Sequence, residues 1–547
     1  MQINLRDLIE KSINLLKDLS ERPSAREMGQ YWSALPDIEE VEEKTAVYKI
    51  KPLKWAPRPE SEPKQASETD SEAEDLPVFE IPTPRDKPVI AGIDGSSIPL
   101  RAMGWIFVGY GVSVAVEDAV ATYPGVPGVM PLFDPDIEKL VRPASIASPL
   151  LDEHEVSIIS NYLFSVPAVG IGEFLCKVGS GKKMSPVIER FCKYSGYAKY
   201  NQKTMIDENR MMLENFALFF LSEKYRSPEV ALIDGPIAST PGIYQRLSGS
   251  GSSLSLNLGS RLALSLYSLS YALNSIIRII LSLNMISQNR VAVGVVKRLE
   301  GSRLLMNINN WSIAKSPIAE FGDLAIVDYI IKRYYTQKGS IINPLLVAPL
   351  LNIINLYNIF KEIKSTFEDV MGIQKGEFCR TLISYVDPLT INIREDLGWL
   401  LSKVLMSSGS KYIGLSDLSS KNIIRALFCE SFDLKICKAV GFLFIPSHWR
   451  TPAGAVYRIE IPYPCSKISD EDKVMDLLEK AASYVVYDSY KPATHVLTPF
   501  PSHIHLPDYY AGRSASLIVR EIYTALQPYT VFSVESQEVM GNVLRAG

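Results

Sequence analysis

Two short apolar runs, each ending in Asp-Gly, constrain the fold of this chain more than any other feature. They span residues 89–95 and 230–235, and both are rich in aliphatic residues. Such runs, when stopped by glycine, are typical of short buried strands. Two neighbouring strands that each end in a carboxylate would bring Asp94 and Asp234 together at one sheet edge, as a divalent-metal site requires. Asp-Gly is also common turn chemistry, and either Asp taken alone is explained more simply as a turn cap.

The rest of the pattern alternates between strands and helices. Short β-branched runs predict strands, and longer stretches with apolar residues three or four positions apart predict helices. The expected strands span residues 105–117, 290–297, 441–445 and 456–461, and the expected helices span residues 213–225, 262–284 and 470–486, with residues 313–405 mostly helical and a last helix beginning near Tyr509. This order predicts an α/β fold with a mixed sheet flanked by helices.

Length and composition predict three segments. The chain has 547 residues, which exceeds the usual size of one domain. Residues 1–56 begin with an amphipathic pattern and are expected to form an N-terminal helical extension. Residues 57–87 are acidic and Pro-rich, as in a linker. Residues 88–547 would form the main domain, with insertions at about 125–205 and 335–440.

Charge and motif content exclude several classes of protein. The net charge of −4 means that any nucleic-acid site must be local. The absence of a CxxC pair argues against a zinc ribbon, and no secretory signal opens the chain, so an intracellular protein is expected. The most apolar stretch contains Asn274 and Arg278, which favours a core helix over a membrane span. No GxxxxGK[ST] motif for nucleotide binding is found.

A third carboxylate and a lysine extend the possible metal site. Glu214 lies on the predicted helix before the second Asp-Gly run, although it could equally be a solvated residue of that helix. Three carboxylates suit two Mg²⁺ or Mn²⁺ ions, which hold a scissile phosphate and activate a water. Lys297 ends the next predicted strand and could contact a phosphate oxygen, or could be an ordinary surface lysine.

Histidines near the C-terminus are further candidates. His503 and His505 lie close to Asp508 in a Pro-rich segment. Imidazole and carboxylate are both suitable metal ligands, and imidazole can also contact phosphate. Exposed histidines are nevertheless ordinary in an irregular loop, and the spacing matches no specific zinc motif.

Taken in order, these pieces resemble the NurA nuclease family. The resemblance spans about residue 88 to the C-terminus and implies an RNase H-like, Piwi-like fold. It further implies a homodimer, Mn²⁺-dependent DNA cleavage and partnership with the hexameric HerA translocase in DNA-end processing. The matching elements are residues 92–96, the helix with Glu214, residues 232–236, 295–297 and 457–462, and a closing Pro-rich turn before a helix.

By this resemblance Asp94, Glu214 and Asp234 would be the metal ligands. The chain departs from the family in its extra length and in the last motif, where the family has a Tyr-Pro turn followed by an Ala-His pair. Here the turn contains Phe500 in place of Tyr, and Asp508 stands where that histidine is expected. The carboxylate could replace the imidazole, a histidine of the same turn could fill the role, or the site could be weakened.

Three functions remain open. The first is a metal-dependent DNA nuclease, exo- or endonucleolytic, that resects DNA ends with a HerA-type hexameric ATPase. In this function Arg298, Arg303 and Arg458 would hold the DNA backbone, although an ion pair with Glu460 is a simpler role for Arg458. The second is a weak or inactive dimeric adaptor or clamp for that translocase. The third is a sugar-kinase-like phosphotransferase, because residues 92–96 also resemble the first phosphate turn of that fold, but no second Gly-rich phosphate loop is found.

Overall fold

The computed structural model describes residues 49–52, 78–82, 84, 86–102, 105–117, 119–123, 202–237, 269–299, 302, 304–305, 317–334, 340–348, 436–446, 454–464, 471–490, 501–527, 532 and 536–541. The strands are β1 Lys49–Pro52, β2 Val78–Glu80, β3 Ile90–Ala102, β4 Trp105–Val116, β5 Ala119–Tyr123, β6 Val230–Asp234, β7 Val291–Val296, β8 Ser340–Ala348, β9 Ile436–Ile445 and β10 Ala455–Pro464. The α-helices are α1 Gln202–Phe219, α2 Leu269–Ser287, α3 Asp323–Tyr334, α4 Glu471–Tyr490 and α5 Ser502–Leu526, with a π-helix at Phe220–Lys224 and a 3₁₀ helix at Pro317–Phe321.

These strands form one mixed sheet. Its order is β1-β8-β9-β10-β7-β6-β3-β4-β5, and β2 also pairs with β8. β6 is parallel to both β3 and β7, and the other pairs among the described strands are antiparallel. Within this sheet, β5-β4-β3-β6-β7 has the order and directions of an RNase H-like core. The predicted α/β fold with a mixed sheet flanked by helices is therefore confirmed.

The central strands are buried, and helices cover both faces of β3. Every residue of β7 is buried, and in β6 only the last residue, Asp234, is partly exposed. Continuous apolar runs of this kind suit parallel strands that are covered on both sides. Gly92 lies against α5 and Gly95 lies against α1. Because residues an odd number apart in a strand point to opposite faces, α1 and α5 cover opposite faces of β3.

Glycines allow α5 to lie directly on the β3–β4 hairpin. A Cβ on Gly111 would lie 2.4 Å from the carbonyl oxygen of Ala511, and a Cβ on Gly109 would lie 2.4 Å from the side chain of Val519. Such distances are far inside van der Waals contact, so only glycine permits this approach. The N-terminal part of α5 is thereby held against the sheet.

The first Asp-Gly strand is longer than predicted. β3 does not stop at Gly95 but continues to Ala102, because β4 pairs with it from Ala91 to Ala102. The expectation that Asp94 ends a strand is therefore wrong, and Asp94 lies inside β3. β6 does end at Asp234, as predicted, and the following Gly235 has a positive φ of 101° that favours glycine.

The start of α5 also differs from its prediction. The helix begins at Ser502 rather than near Tyr509 and includes Pro507. Proline lacks the N–H that would bond the carbonyl four residues earlier, which is that of His503. This carbonyl lies instead against β3, where a Cβ on Gly92 would be 1.4 Å from its oxygen. The helix therefore accommodates a proline that the sequence pattern treats as a stop.

Strands occur in three segments that the sequence assigns otherwise. β8 lies in the region predicted to be mostly helical, and β1 and β2 lie before residue 88 and pair with β8. The sheet thus extends into the predicted N-terminal extension and linker, and the domain boundaries stay predictions. The predicted helix at the start of the chain and most of the acidic linker lie outside the described residues. No helix in the described part of the chain is long and apolar enough to cross a membrane.

Candidate metal centre

Three carboxylates converge beside the carboxyl end of β6, on the face of the sheet that α5 covers. Asp94, Asp234 and Asp508 each offer one oxygen, and these oxygens lie within 4.8 Å of one another. The first two meet because β3 and β6 are parallel, with Ile93 opposite Ile233. Asp508 comes from α5, which the close contact with the hairpin brings over the same strands. The sequence predicts these three residues, and the structure brings them together.

The surroundings of Asp94 and Asp234 oppose negative charge. Burial, together with repulsion from Asp234, Glu214 and Asp508, raises the pKa of Asp94 well above the usual carboxyl range. Burial also raises the pKa of Asp234, although Lys297 partly offsets the increase. Asp94 is 4% exposed, whereas the side chain of Asp508 is 53% exposed. The group is therefore buried on the β3 side and open to solvent on the α5 side.

Lys297 is the cation nearest to this group. Its Nζ lies 2.7 Å from Asp234 Oδ2 and 3.7 Å from Asp508 Oδ2. Burial lowers the pKa of Lys297, but attraction to Asp234 and the other two carboxylates outweighs it, so the pKa is raised. The lysine therefore stays charged and offsets part of the repulsion among the three carboxylates. Its place directly after β7 brings it beside Asp234, which ends the neighbouring strand β6.

Glu214 lies beside the three carboxylates but is not one of the group. A Cβ on Gly95 would lie 2.9 Å from Glu214 Oε1, so this glycine lets the glutamate approach β3. Arg278 Nη2 donates to Glu214 Oε2 at 2.6 Å, and Arg210 Nε lies 3.7 Å from Glu214 Oε1. The predicted role of Glu214 as a metal ligand stays a prediction, since in this structure arginines balance its charge.

Arg278 is a residue that the sequence reasoning noticed without assigning a role. It lies in the apolar helix α2 and is buried, and its Nε donates to Asn215 Oδ1 at 2.8 Å. A charged residue inside an apolar helix needs a buried partner of opposite charge. The sequence therefore indicates that Arg278 has an acidic partner. The partner, Glu214, could not be identified from spacing because it is 64 residues away.

The donor set of the three aspartates fits a divalent cation. Mg²⁺ and Mn²⁺ prefer hard oxygen ligands, and each aspartate supplies one. Burial and, after it, repulsion from the neighbouring carboxylates raise the pKa of Asp94, and a bound cation would offset that repulsion. These residues fit one cation directly. A second ion, as predicted from the sequence, would draw on Glu214 and compete with Arg278 for it.

The two candidate histidines have different surroundings. His503 is buried, and its Nδ1 lies 2.6 Å from Asp488 Oδ1, while its backbone N–H donates to Asp488 Oδ2 at 2.8 Å. Asp488 thus fixes the first turn of α5, a role that nothing in the sequence pattern signalled. His505 is half-buried, and it lies near enough to Asp508 and Lys297 for both charges to affect its pKa. Burial lowers that pKa, Asp508 raises it in part, and Lys297 lowers it further. Metal or phosphate contact by either histidine stays a prediction.

The three candidate arginines also differ in their surroundings. Arg298 is exposed and follows Lys297 directly, whereas Arg303 lies outside the described residues. Arg458 is 4% exposed, and its Nε lies 2.9 Å from Glu460 Oε1. For Arg458 the structure thus favours the ion-pair explanation over contact with a DNA backbone.

The fold and this centre define an RNase H-like protein with a cluster of acidic residues on the central strands of its sheet. The family model of the NurA domain matches residues 88–488, and the chain therefore belongs to the NurA domain family. This confirms the resemblance and supports a nuclease-type function. The match ends at Asp488, so α5 and Asp508 lie beyond it.

The chain was also compared with solved structures and with curated proteins. The crystal structure of the NurA nuclease from Sulfolobus solfataricus shares 9% identity with this chain, covering 82% of it and 88% of the other chain at a TM-score of 0.31. At this level of similarity family membership rests on the NurA domain match. None of the curated proteins matches the chain.

Proposed function

We propose that this protein is a metal-dependent DNA nuclease, a phosphodiester hydrolase acting on DNA strands or their ends. The observation that carries the proposal is the convergence of Asp94, Asp234 and Asp508, with one oxygen of each within 4.8 Å of the others. Membership of the NurA domain family supports the same reaction class. Mg²⁺ or Mn²⁺ is the cation that this donor set would take.

The side chains of the centre would have two different roles in hydrolysis. A bound divalent cation supplies Lewis-acid stabilisation of the phosphate and lowers the pKa of a water molecule. Asp94, Asp234 and Asp508 would hold that cation. Lys297, which lies 2.7 Å from Asp234, would offset the charge that develops on the phosphate oxygens.

Exposed residues beside the centre favour DNA as the substrate. Arg298 follows Lys297 and is exposed, so it can reach a neighbouring phosphate. Tyr509 is 53% exposed and follows Asp508, which places an aromatic ring where an unpaired base could stack. Arg513, one turn further along α5, is exposed as well. A cation and an aromatic ring next to a metal centre are what a single strand of DNA requires.

The proposal extends to partners through the family resemblance. The protein would act inside the cell as a homodimer, and a HerA-type hexameric ATPase would feed it DNA during end resection. Light scattering of the pure protein, alone and mixed with such an ATPase, tests both associations. The mass of a single chain in the first measurement would contradict the dimer, and no mass change in the second would contradict the partnership.

A second candidate function is favoured by the ion pair between Glu214 and Arg278. If that pair persists when metal is present, the centre lacks its fourth carboxylate and cleaves weakly or not at all. The protein would then be a dimeric adaptor or clamp for the translocase. This candidate predicts DNA or translocase binding without cleavage.

Cleavage of plasmid and of labelled oligonucleotides in Mn²⁺ or Mg²⁺ separates the two functions. Asp94→Asn and Asp234→Asn should each lower the rate by about 10³-fold, since the cation contributes several kcal/mol to transition-state stabilisation. Asp328→Asn is the matched control, because Asp328 is an exposed aspartate of α3 paired only with Lys332 among the described contacts. If Asp94→Asn cleaves DNA as fast as the wild type does, the three aspartates are not the catalytic centre. DNA binding with no cleavage by the wild type would favour the adaptor.

A further inference from the structure

We propose that Arg458 and Glu460 of β10 are positioning residues that hold the loop following Asp234 and the loop beginning at Lys297. This inference rests on the proposed nuclease function, because the two loops supply that centre. It also changes the role predicted for Arg458 from the sequence, since a residue that positions the centre does not itself contact DNA.

Glu460 fixes the loop that follows β6. It lies opposite Gly294 of β7 in the sheet. Because Gly294 has no side chain, the loop passes over it, and a Cβ there would lie 2.4 Å from the nitrogen of Ile237. The backbone N–H of Ile237 approaches the Glu460 carboxylate and helps to lower its pKa. Ile237 comes three residues after Asp234, so this contact and the close approach to Gly294 hold the segment that follows a metal-centre carboxylate.

Arg458 fixes the loop that follows β7. It pairs in the sheet with Val296, the neighbour of Lys297. Its Nη1 donates to Ser302 Oγ, and that hydroxyl donates in turn to Asp323 Oδ2. The backbone N–H of Asp323 also donates to the carbonyl of Ser302 at 2.8 Å. Ser302 is therefore held from two sides, five residues after Lys297.

Asp323 extends the same anchor along the loop. Its two carboxylate oxygens accept the backbone N–H groups of Leu304 and Leu305, each at 2.8 Å. Asp323 is completely buried, as expected for a carboxylate whose lone pairs are used by the chain around it. The loop from Lys297 to Leu305 is thus tied to the sheet by Arg458 and to α3 by Asp323.

The two anchors are coupled to each other through charge. Arg458 Nε lies 2.9 Å and Lys438 Nζ lies 3.0 Å from the same oxygen, Glu460 Oε1. Burial raises the pKa of Glu460, but Lys438 and Arg458 outweigh it, so the pKa is lowered and the residue stays ionised. Glu460 is completely buried and the two cations are each 4% exposed. Charges this deeply buried cost stability, and holding two loops in register is a reason to retain them.

The coupling matters because Asp234 ends β6, whereas Lys297 begins the loop after β7. Their 2.7 Å ion pair joins the two segments that Arg458 and Glu460 anchor separately. A displacement of about 1 Å at a catalytic group can lower a rate about 10²-fold. Weakening either anchor should therefore reduce catalysis without removing any group that contacts DNA.

Ser302→Ala tests the Arg458 anchor with a minimal change. It removes the hydroxyl that joins Arg458 to Asp323, and we expect kcat to fall about 10–100-fold, as for other residues that orient a metal site. The KM and the Kd for DNA should stay unchanged. The matched control is Ser287→Ala, because the hydroxyl of Ser287 bonds only the Asn284 carbonyl of its own helix in the described contacts. A wild-type kcat for folded Ser302→Ala would overturn the proposal.

Arg458→Gln separates positioning from DNA contact, because it removes the charge that would neutralise a phosphate. The slope of log Kd against log salt should equal that of the wild type, while kcat falls as in Ser302→Ala. If Arg458 held a phosphate directly, loss of that contact would change the slope by about 0.7–0.9. A changed slope would overturn the positioning role and restore the DNA contact.

Glu460→Gln gives a readout that does not depend on cleavage. Loss of the negative charge should loosen the loop after β6, and the Kd for Mn²⁺ should rise about 10–100-fold in titration calorimetry. If the wild type binds Mn²⁺ but does not cleave, the nuclease function fails and this affinity still decides the positioning role. An unchanged Mn²⁺ affinity in the folded variant, or no Mn²⁺ binding by the wild type, would contradict that role.

Discussion

Asp94 is a buried carboxylate whose surroundings oppose its charge, and this has a measurable cost. Below the ordinary carboxyl pKa of about 3.9, it is protonated in both the folded and the unfolded chain. As the pH rises from there toward its raised folded pKa, the unfolded chain ionises first, so the folded state loses stability. Above the raised pKa the loss is complete. Metal-free protein should therefore become less stable across this range of pH.

Asp94→Asn should remove that cost. In EDTA the variant should unfold at a higher temperature than the wild type, and the difference should grow as the pH rises above about 4. Mn²⁺ should raise the unfolding temperature of the wild type but not of the variant, since ligands stabilise only the state that binds them. Differential scanning calorimetry measures both effects. Equal unfolding temperatures for the two proteins in EDTA at every pH would contradict the argument, and Asp328→Asn serves as the control.

Single residues of the centre were predictable where the local pattern defines their environment. Asp94 and Asp234 follow apolar runs before glycine, and Asp508 was found from its place in the closing turn. The charge balance of Glu214 was not predictable, because Arg278 meets it only after α1 and α2 pack. The same holds for Asp488, whose contact with the first turn of α5 depends on how two helices meet.

Among the elements, α5 depends on glycines of the hairpin beneath it. Gly111→Ala places a Cβ 2.4 Å from the carbonyl oxygen of Ala511, so α5 must shift away from β4. Overpacking of this kind costs about 1–3 kcal/mol of unfolding free energy. Because the shift moves Asp508, the variant should also bind Mn²⁺ more weakly. Urea unfolding and calorimetry measure the two changes.

The control for this substitution is Gly541→Ala. No atom lies within 4 Å of the Cβ that it would add, and Gly541 lies in a helical segment that includes residues 536–541. We expect its stability and Mn²⁺ affinity to match those of the wild type. If Gly111→Ala behaves in the same way, α5 does not rest on the hairpin as closely as the structure has it.

The positions of strands and helices are predictable where the hydrophobic pattern of the segment itself defines them. They are less predictable where pairing with a distant strand decides where the element ends. β6 and β7 lie close to their predicted positions because their apolar runs are continuous. β3 extends past Gly95 only because β4 pairs with it, and α5 tolerates Pro507 only because β3 accommodates the freed carbonyl. These are tertiary effects, and no window of sequence contains them. β8 was missed for the same reason, since its partners β1 and β9 are distant in the chain.

At the scale of the whole molecule, the proposed binding of DNA would have to overcome a net charge of −4. Long-range attraction to DNA is therefore weak, and affinity depends on the few cations near the metal centre. Two of those cations, Lys297 and Arg298, are adjacent in sequence, and only Arg298 is exposed. The salt dependence of binding should accordingly be small and sensitive to single substitutions.

Arg298→Ala should lower the magnitude of the slope of log K against log salt by about 0.7–0.9, the contribution of one phosphate contact. Lys332→Ala is the matched control, because Lys332 is an exposed cation of α3 paired with Asp328. Fluorescence anisotropy of a labelled single strand, in Ca²⁺ to suppress cleavage, measures the slope for each protein. If Lys332→Ala lowered the slope as much as Arg298→Ala, attraction would be spread over the surface and the DNA site would not be local. If neither did, the DNA backbone would not pass Arg298, and the strand would have to leave the centre along the exposed face of α5, past Tyr509 and Arg513.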